Sequence, residues 1–472
     1  MLPILKKSVL LLLAAVAAWT PVAFGQDAKT VLSNASKAMG ADNVKTLQYS
    51  GTATEYSFGQ AYDANSAWPP LVDKSYTRTV NYGTPAWRVD RVVADVPPDR
   101  RGGGFGGGVP PGPTQSFVVG PNTPWAQQLD LWMTPFGFLR AAAKATDATV
   151  ESKSMGGKTY TVVTFTAPNK AKMSGYLNAN SMLDRVETWV ANPMLGDTMV
   201  EAIYVGYKDF SGVKFPTKIV VKQGGYTTLD FNVTDVKPNA PADIQGNPGG
   251  GGQPAIAATS RKLADGVYLI LPAYAAVAVE FKDYIVVIEA PQSEERAAAI
   301  IAEAKKDIPN KPIKYVINTH NHFDHASGLR TFIAEGATIV TWRGNKAYYE
   351  RIFAQPHTLS PDREETEKKK ISIETVGEKK ELTDGNQSIE LYRVHDTYHN
   401  AGLLMAYLPK GKILVEADLF NPLDPPGAPK PTPLVENIKR LNLDVQTIIP
   451  IHYPPDGRAV TIADLMSAVG GK

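Results

Sequence analysis

Cysteine is absent from all 472 residues of this chain, which excludes disulfides, thiolate metal ligands, cysteine nucleophiles and a lipid-modified N-terminal cysteine together. Any metal must rest on His, Asp or Glu. An excess of charge of either sign is missing too. The 49 Lys and Arg stand against 47 Asp and Glu, a formal net charge of +2, so the chain lacks the basic surface on which a nucleic-acid partner depends. No apolar run reaches the ~20 residues of a helical membrane span; Val9–Ala18 falls short and no later segment does better. What is present is ordinary globular stock, 43% hydrophobic and 20% charged, enough for two or more domains with substantial cores and incompatible with wholesale disorder.

Lys6 and Lys7, the apolar run Val9–Ala18 and the small residues Ala23 and Gly25 together form the pattern of a secretory signal peptide. Residues 1–25 are therefore expected to be removed by a cut before Gln26, leaving a periplasmic or secreted protein. Two glycine-rich stretches punctuate the rest, Arg100–Gly112 and Asn247–Pro254. The first is followed by neither Lys-Ser/Thr nor a helical pattern, so it reads as a floppy loop and not as a phosphate cradle. The second marks a boundary. The expected organisation is a β-rich N-terminal domain at 26–246, a linker at 247–257 and a second domain at 258–472.

In the first domain a short amphipathic helix at Val31–Met39 precedes apolar, β-branched runs at Leu47–Thr54, Thr159–Thr166, Val186–Val190, Thr198–Val205 and Lys218–Lys222. Turn residues separate these runs, which predicts an antiparallel sheet. Tyr207–Pro216 resembles one strand pair of curved-sheet, lipoprotein-carrier-like periplasmic domains. No titratable cluster occurs here, and no chemistry is expected of this half. From Ala258 onward strands alternate with helices. Val267–Leu271, Ala278–Ile288 and Lys314–Asn318 read as strands and Glu294–Lys305 as a helix, the texture of a layered α/β domain.

All seven His of the chain lie in this second domain, three of them within His320-Asn-His322-Phe-Asp324-His325. Alternation puts His320 and His322 on one side of an extended segment, and Asp324 and His325 come from the turn that follows. Zinc favours imidazole and carboxylate donors, and a catalytic site keeps one position open for water. Further candidates stand at the ends of further predicted strands: His395 and His399 after Ser388–Val394, Asp418 after Lys412–Ala417, and His452 after Gln446–Ile451. Donors gathered from the same end of several strands converge.

The motif, together with Asn318-Thr319, Ala326–Leu329, Leu403–Pro409 and Glu416–Asp418, resembles that of the metallo-β-lactamase fold superfamily over residues 258 to 472. The resemblance implies an αβ/βα sandwich with a dinuclear site at one edge. It implies His320, His322 and His399 on a first metal, Asp324, His325 and His452 on a second, and Asp418 bridging them, the two divalent ions being zinc. The absence of Cys and the presence of Asp418 make the set more similar to glyoxalase II, the lactonases and the general hydrolases of the fold than to true metallo-β-lactamases. His322 stands where flavodiiron reductases carry Glu, whereas a mononuclear iron dioxygenase keeps the same motif.

Two divalent cations, two carboxylates and a bridging hydroxide leave a net charge near +1, suited to deprotonating water near neutral pH. The expected reaction is attack by metal-bound hydroxide on the carbonyl of a small-molecule ester, lactone, thioester or amide, with Asp324 orienting the nucleophile. A β-lactam substrate and a non-enzymatic binding protein with a structural metal domain are the alternatives. Of the remaining candidates, Tyr453 reads as an oxyanion donor or a packed aromatic, and the proline-rich segment 419–433 as a pocket wall or a connector. His357 reads as a non-ligand and the charged run 362–370 as a solvated face. His399 is preferred over His395 as ligand, leaving His395 either behind the ligands or exposed to solvent, where it could pair with Asp396.

Overall fold

The computed structural model describes residues 27–94, 100–103, 114–245, 257–272, 274–423 and 429–470. The expected signal peptide, nearly all of the 247–257 linker and residues 104–112 of the first glycine-rich stretch lie outside them. The N-terminal half is one antiparallel sheet of eleven strands. Its first strand, β1 (Thr46–Tyr56), pairs on one side with β2 (Pro70–Asn81) and on the other with the last strand of this half, Tyr226–Pro238. Leu47 and Tyr49 are buried while Gln48 and Ser50 are partly exposed, the period of two that lets one face pack and the other meet water. The buried face is covered by the helix Ala28–Met39, through Val31, Leu32, Ala35 and Met39, and by Pro135–Lys144, through Phe136, Phe138 and Leu139.

The C-terminal half stacks two sheets. A seven-stranded sheet begins at Thr259 and ends with four mutually parallel strands, Ile285–Ile288, Ile313–Ile317, Thr338–Trp342 and Ile373–Val376. A six-stranded sheet contains the parallel pair Ile413–Glu416 and Thr447–Pro450. Strands buried on both faces read as unbroken apolar runs, as Ile285-Val-Val-Ile288 does. Val286 and Ile288 pack toward the second sheet with Leu404, Val415 and Ile449. Ile285 and Val287 face the helices Glu294–Asp307 and Leu329–Ala334. Leu434, Ile438 and Leu465 cover the far side of the second sheet. Helix, sheet, sheet, helix is the αβ/βα order expected.

Two expectations need correction. Ala278–Ile288 is a hairpin of two strands, Ala276–Glu280 and Ile285–Ile288, because exposed Lys282 and Asp283 interrupt an otherwise buried run and turn the chain. The run 362–370 is only partly solvated. Asp362 caps the short helix Arg363–Glu367, and the buried Arg330 pairs with both Asp362 and Glu364, the latter at 2.7 Å. A guanidinium withdrawn from water requires such partners. No helix among the described residues is long and apolar enough to cross a membrane.

Candidate metal centre

Every donor singled out in the sequence leaves the carboxyl end of a strand. His320 and His322 follow Ile313–Ile317, and Asp324 and His325 stand in the single helical turn Phe323–Ala326. Asp418 follows Ile413–Glu416 in the left-handed region, φ +61°, which Asp tolerates better than most residues. His452 follows Thr447–Pro450. The donor atoms fall into two groups, each within 4.8 Å: His320, His322, His399 and Asp418, and Asp324, His325 and His452. Asp418 also reaches the second group, Oδ2 lying 2.9 Å from His325 Nε2 and Oδ1 2.7 Å from His452 Nε2.

Three of the imidazoles, His320, His322 and His325, are oriented by bonds on their outer nitrogens. The Nε2–H of His322 donates to the carbonyl of Ala61 at 2.9 Å, and since a carbonyl only accepts, Nδ1 is left as the bare nitrogen. His325 donates through Nδ1 to Glu289 at 3.0 Å, leaving Nε2 inward. Thr319 gives its hydroxyl hydrogen to the same carboxylate at 2.7 Å, so its oxygen accepts from His320 Nδ1 at 3.0 Å. The inner atoms His320 Nε2, His322 Nδ1, His325 Nε2, His399 Nε2 and Asp418 Oδ2 are buried and make no well-formed hydrogen bond among the described residues, while Asp418 Oδ2 stands 2.9 to 3.3 Å from Nε2 of His320, His325 and His399. Buried polar atoms are rarely left so. Five of them together, with outer-nitrogen bonds of the kind that fix metal-binding histidines, fit divalent cations.

The electrostatics agree. Burial, reinforced by His325, holds His320 down to about 4, and burial with His320 and His399 holds His322 well below the usual imidazole range. Burial opposes charge on His325 as well, but Asp418 and Asp324 outweigh it and lift that imidazole well above its ordinary value. Burial raises Asp324 and Asp418, yet facing His325 keeps both carboxylates ionised far below their usual range. Two carboxylates with mostly neutral imidazoles around them make a place where positive charge is favoured.

His395 stays outside. Its Nε2 is 2.6 Å from Glu378 on the surface, so Glu378, and not Asp396, is its partner. His357 is buried beside Asp362 and belongs to neither group. Tyr453 is a packed aromatic whose oxygen accepts from Arg261 at 2.8 Å. The middle of the proline-rich segment, 424–428, lies outside the described residues. Three features escape a reading of the sequence. Glu289 follows a strand with nothing around it to mark it. The Tyr274 hydroxyl donates to Asp324 Oδ2 at 3.1 Å, its loop fixed by Arg296, which donates to the Tyr274 carbonyl at 2.9 Å. The third is the N-terminal half itself, from which Gln60 donates to Asp324 Oδ1 at 2.8 Å. Part of the expected floppy loop is also tied down here, Gly102 N donating to Tyr398 O and Gly103 N to Gln60 O, both at 3.0 Å.

Two helix-flanked sheets with His and Asp donors at their strand ends define an α/β sandwich built to hold a divalent metal. Residues 274–452 match the family model of the Metallo-beta-lactamase superfamily, and this part of the chain belongs to that superfamily. A curated relative, the linear primary-alkylsulfatase of Pseudomonas sp. (strain ATCC 19151), is 32% identical over 81 residues, which is 17% of this chain and only 14% of that protein. Among solved structures, the metallo-beta-lactamase from Pontibacter korlensis is 17% identical, covering 45% of this chain and 97% of its own at a TM-score of 0.36. The rubredoxin oxygen:oxidoreductase of Desulfovibrio gigas is 15% identical, covering 45% of this chain and 61% of its own at 0.35.

Proposed function

We propose that the protein is an exported hydrolase that holds two zinc ions, one on His320, His322 and His399, the other on Asp324, His325 and His452, with Asp418 shared. The observation that supports this best is that hydrogen bonds on the outer nitrogens of His320, His322 and His325 turn their inner nitrogens toward the Asp324 and Asp418 carboxylates. Divalent ions bound there would lower the pKa of coordinated water to about 7 and polarise a substrate oxygen. The side chains of Asp324 and His452 are 30% and 29% exposed, against 12% or less for His320, His325, His399 and Asp418. Water and substrate therefore enter on the Asp324 side. Gln60 holds Oδ1 of that carboxylate and Tyr274 holds Oδ2, which leaves Asp324 aimed to orient the attacking water.

The substrate class is an ester, lactone, thioester or amide, and a β-lactam is the first alternative acyl group. The alkylsulfatase likeness adds a primary alkyl sulfate to the substrates to be tested. Metal analysis of the wild type should give two equivalents of zinc and chelator-sensitive turnover of a chromogenic ester. Asp324→Ala should lose one equivalent and at least 99% of the turnover. His395→Ala should keep both zinc ions, while His399→Ala loses at least one. A folded wild type that takes up no metal would overturn the reading and favour a binding protein.

A further inference from the structure

The loop between β1 and β2, residues 57–69, leaves the N-terminal sheet and lies against the His motif of the other half. Its backbone makes four contacts there. Gly59 O accepts from Phe323 N at 3.2 Å, Ala61 O accepts from His322 Nε2 at 2.9 Å and from Asn400 Nδ2 at 3.3 Å, and Tyr62 O accepts from Ala401 N at 2.8 Å. Its side chains add two more, Gln60 to Asp324 Oδ1 at 2.8 Å and the Tyr62 hydroxyl to Thr397 O at 3.2 Å. His322, Asp324 and the loop carrying His399 are thus all held from outside their own domain. The loop itself is stiff at its root. Phe58 packs edge-on against Trp68 and Phe323, at ring separations of 4.3 and 5.3 Å, and Trp68 stacks on Tyr226 at 4.6 Å.

Two glycines show how close the fit is. A Cβ on Gly59, whose φ is +74°, would lie 2.3 Å from the Phe323 ring. A Cβ on Gly103 would lie 2.2 Å from Gln60 Oε1 and 2.8 Å from Nδ1 of His322, the nitrogen assigned to the metal. Backbone therefore approaches the centre at a distance no side chain permits.

Resting on the two-metal reading above, we propose that the metal centre is a composite of both halves: the Ala61 carbonyl sets the tautomer of His322, Gln60 is the positioning residue for Asp324, and Gly103 keeps the space in which both stand. Without the Ala61 carbonyl, His322 is free to carry its proton on Nδ1 and present no lone pair inward. Without the Gln60 amide, Asp324 loses the bond that fixes the plane of its carboxylate. Partners of this kind typically change metal affinity 10- to 100-fold.

The test uses the full chain loaded with cobalt, whose visible absorption reports ligand geometry without turnover. The wild type should bind two equivalents. Gln60→Ala should weaken the site containing Asp324 by at least 10-fold in competition with a chromophoric chelator and shift its bands. Gly103→Ala should weaken the site containing His322, with the melting temperature of the metal-free protein within a few degrees of the parent in both cases. Gln60→Glu, which keeps length but offers the carboxylate no amide hydrogen, should behave as Gln60→Ala. Unchanged affinity and spectra in Gln60→Ala and Gln60→Glu would overturn the composite site, even if Gly103→Ala failed to fold. A wild type that takes up no cobalt would instead overturn the metal reading itself.

Discussion

Glu289 is not itself one of the candidate metal donors, yet it decides how two of them present themselves. Its carboxylate, fully buried, accepts from Thr319 and from His325 Nδ1, and through Thr319 it fixes His320 as well. Glu289→Gln keeps the volume but replaces one acceptor oxygen by an NH2 that opposes a donor. Zinc affinity should fall by about 10- to 100-fold, measured by chelator competition, while the His395→Ala control stays at the parent value; equal affinity in Glu289→Gln would remove the role. The donors themselves were legible because three histidines and an aspartate crowd six positions after an apolar strand. Glu289 and Tyr274 were not, since each is an isolated residue whose partner lies tens of positions away, and nothing in its local pattern marks the pairing.

At the scale of elements, several strands of the N-terminal sheet went unread. The strand β2 shows one physical reason. Its pairing with the neighbouring strand Ala86–Val93 slips between Asp73 and Ser75, so that Leu71 and Asp73 are buried before the irregularity and Tyr76, Arg78 and Val80 after it. The odd positions lead before the slip and the even ones after, which spoils a period-two reading. Asp73 is completely buried and neither carboxylate oxygen has a hydrogen-bond partner among the described residues. Burial pushes its carboxyl up to about 7. The folded chain then keeps a proton that the unfolded chain releases near pH 4, so stability falls as pH rises from about 4 to 7 and levels off above. Asp73→Asn removes that dependence. Its melting temperature should exceed the parent's at pH 8, by an amount equivalent to at most about 4 kcal/mol, and the gap should close toward pH 4. An equal gap at both pH values would show that the carboxyl does not titrate in this range.

At the scale of the whole molecule, the glycine-rich boundary suggested two halves that work apart, the second holding metal unaided. The structure joins them at two places. One is the metal centre, reached by the loop 57–69 and by Gly102 and Gly103. The other is Asp197, which accepts from Thr358 N at 2.9 Å and Leu359 N at 3.0 Å and donates its own N–H to Pro356 O at 2.7 Å. Both joints consist largely of main-chain groups, which every residue carries, so no choice of amino acid advertises them; Ala61 looks like any alanine. They alter what cleavage should do. If a protease site is inserted within Gly249–Gly252 and cut, the pieces should migrate together on gel filtration with their zinc content unchanged, because the cut breaks only the covalent link. Separated in denaturant and refolded alone, the piece 258–472 should bind zinc more weakly than the nicked pair, and adding back the N-terminal piece should restore the affinity. Equal affinity in the lone piece would return the metal centre to one half and leave the N-terminal sheet without a part in it.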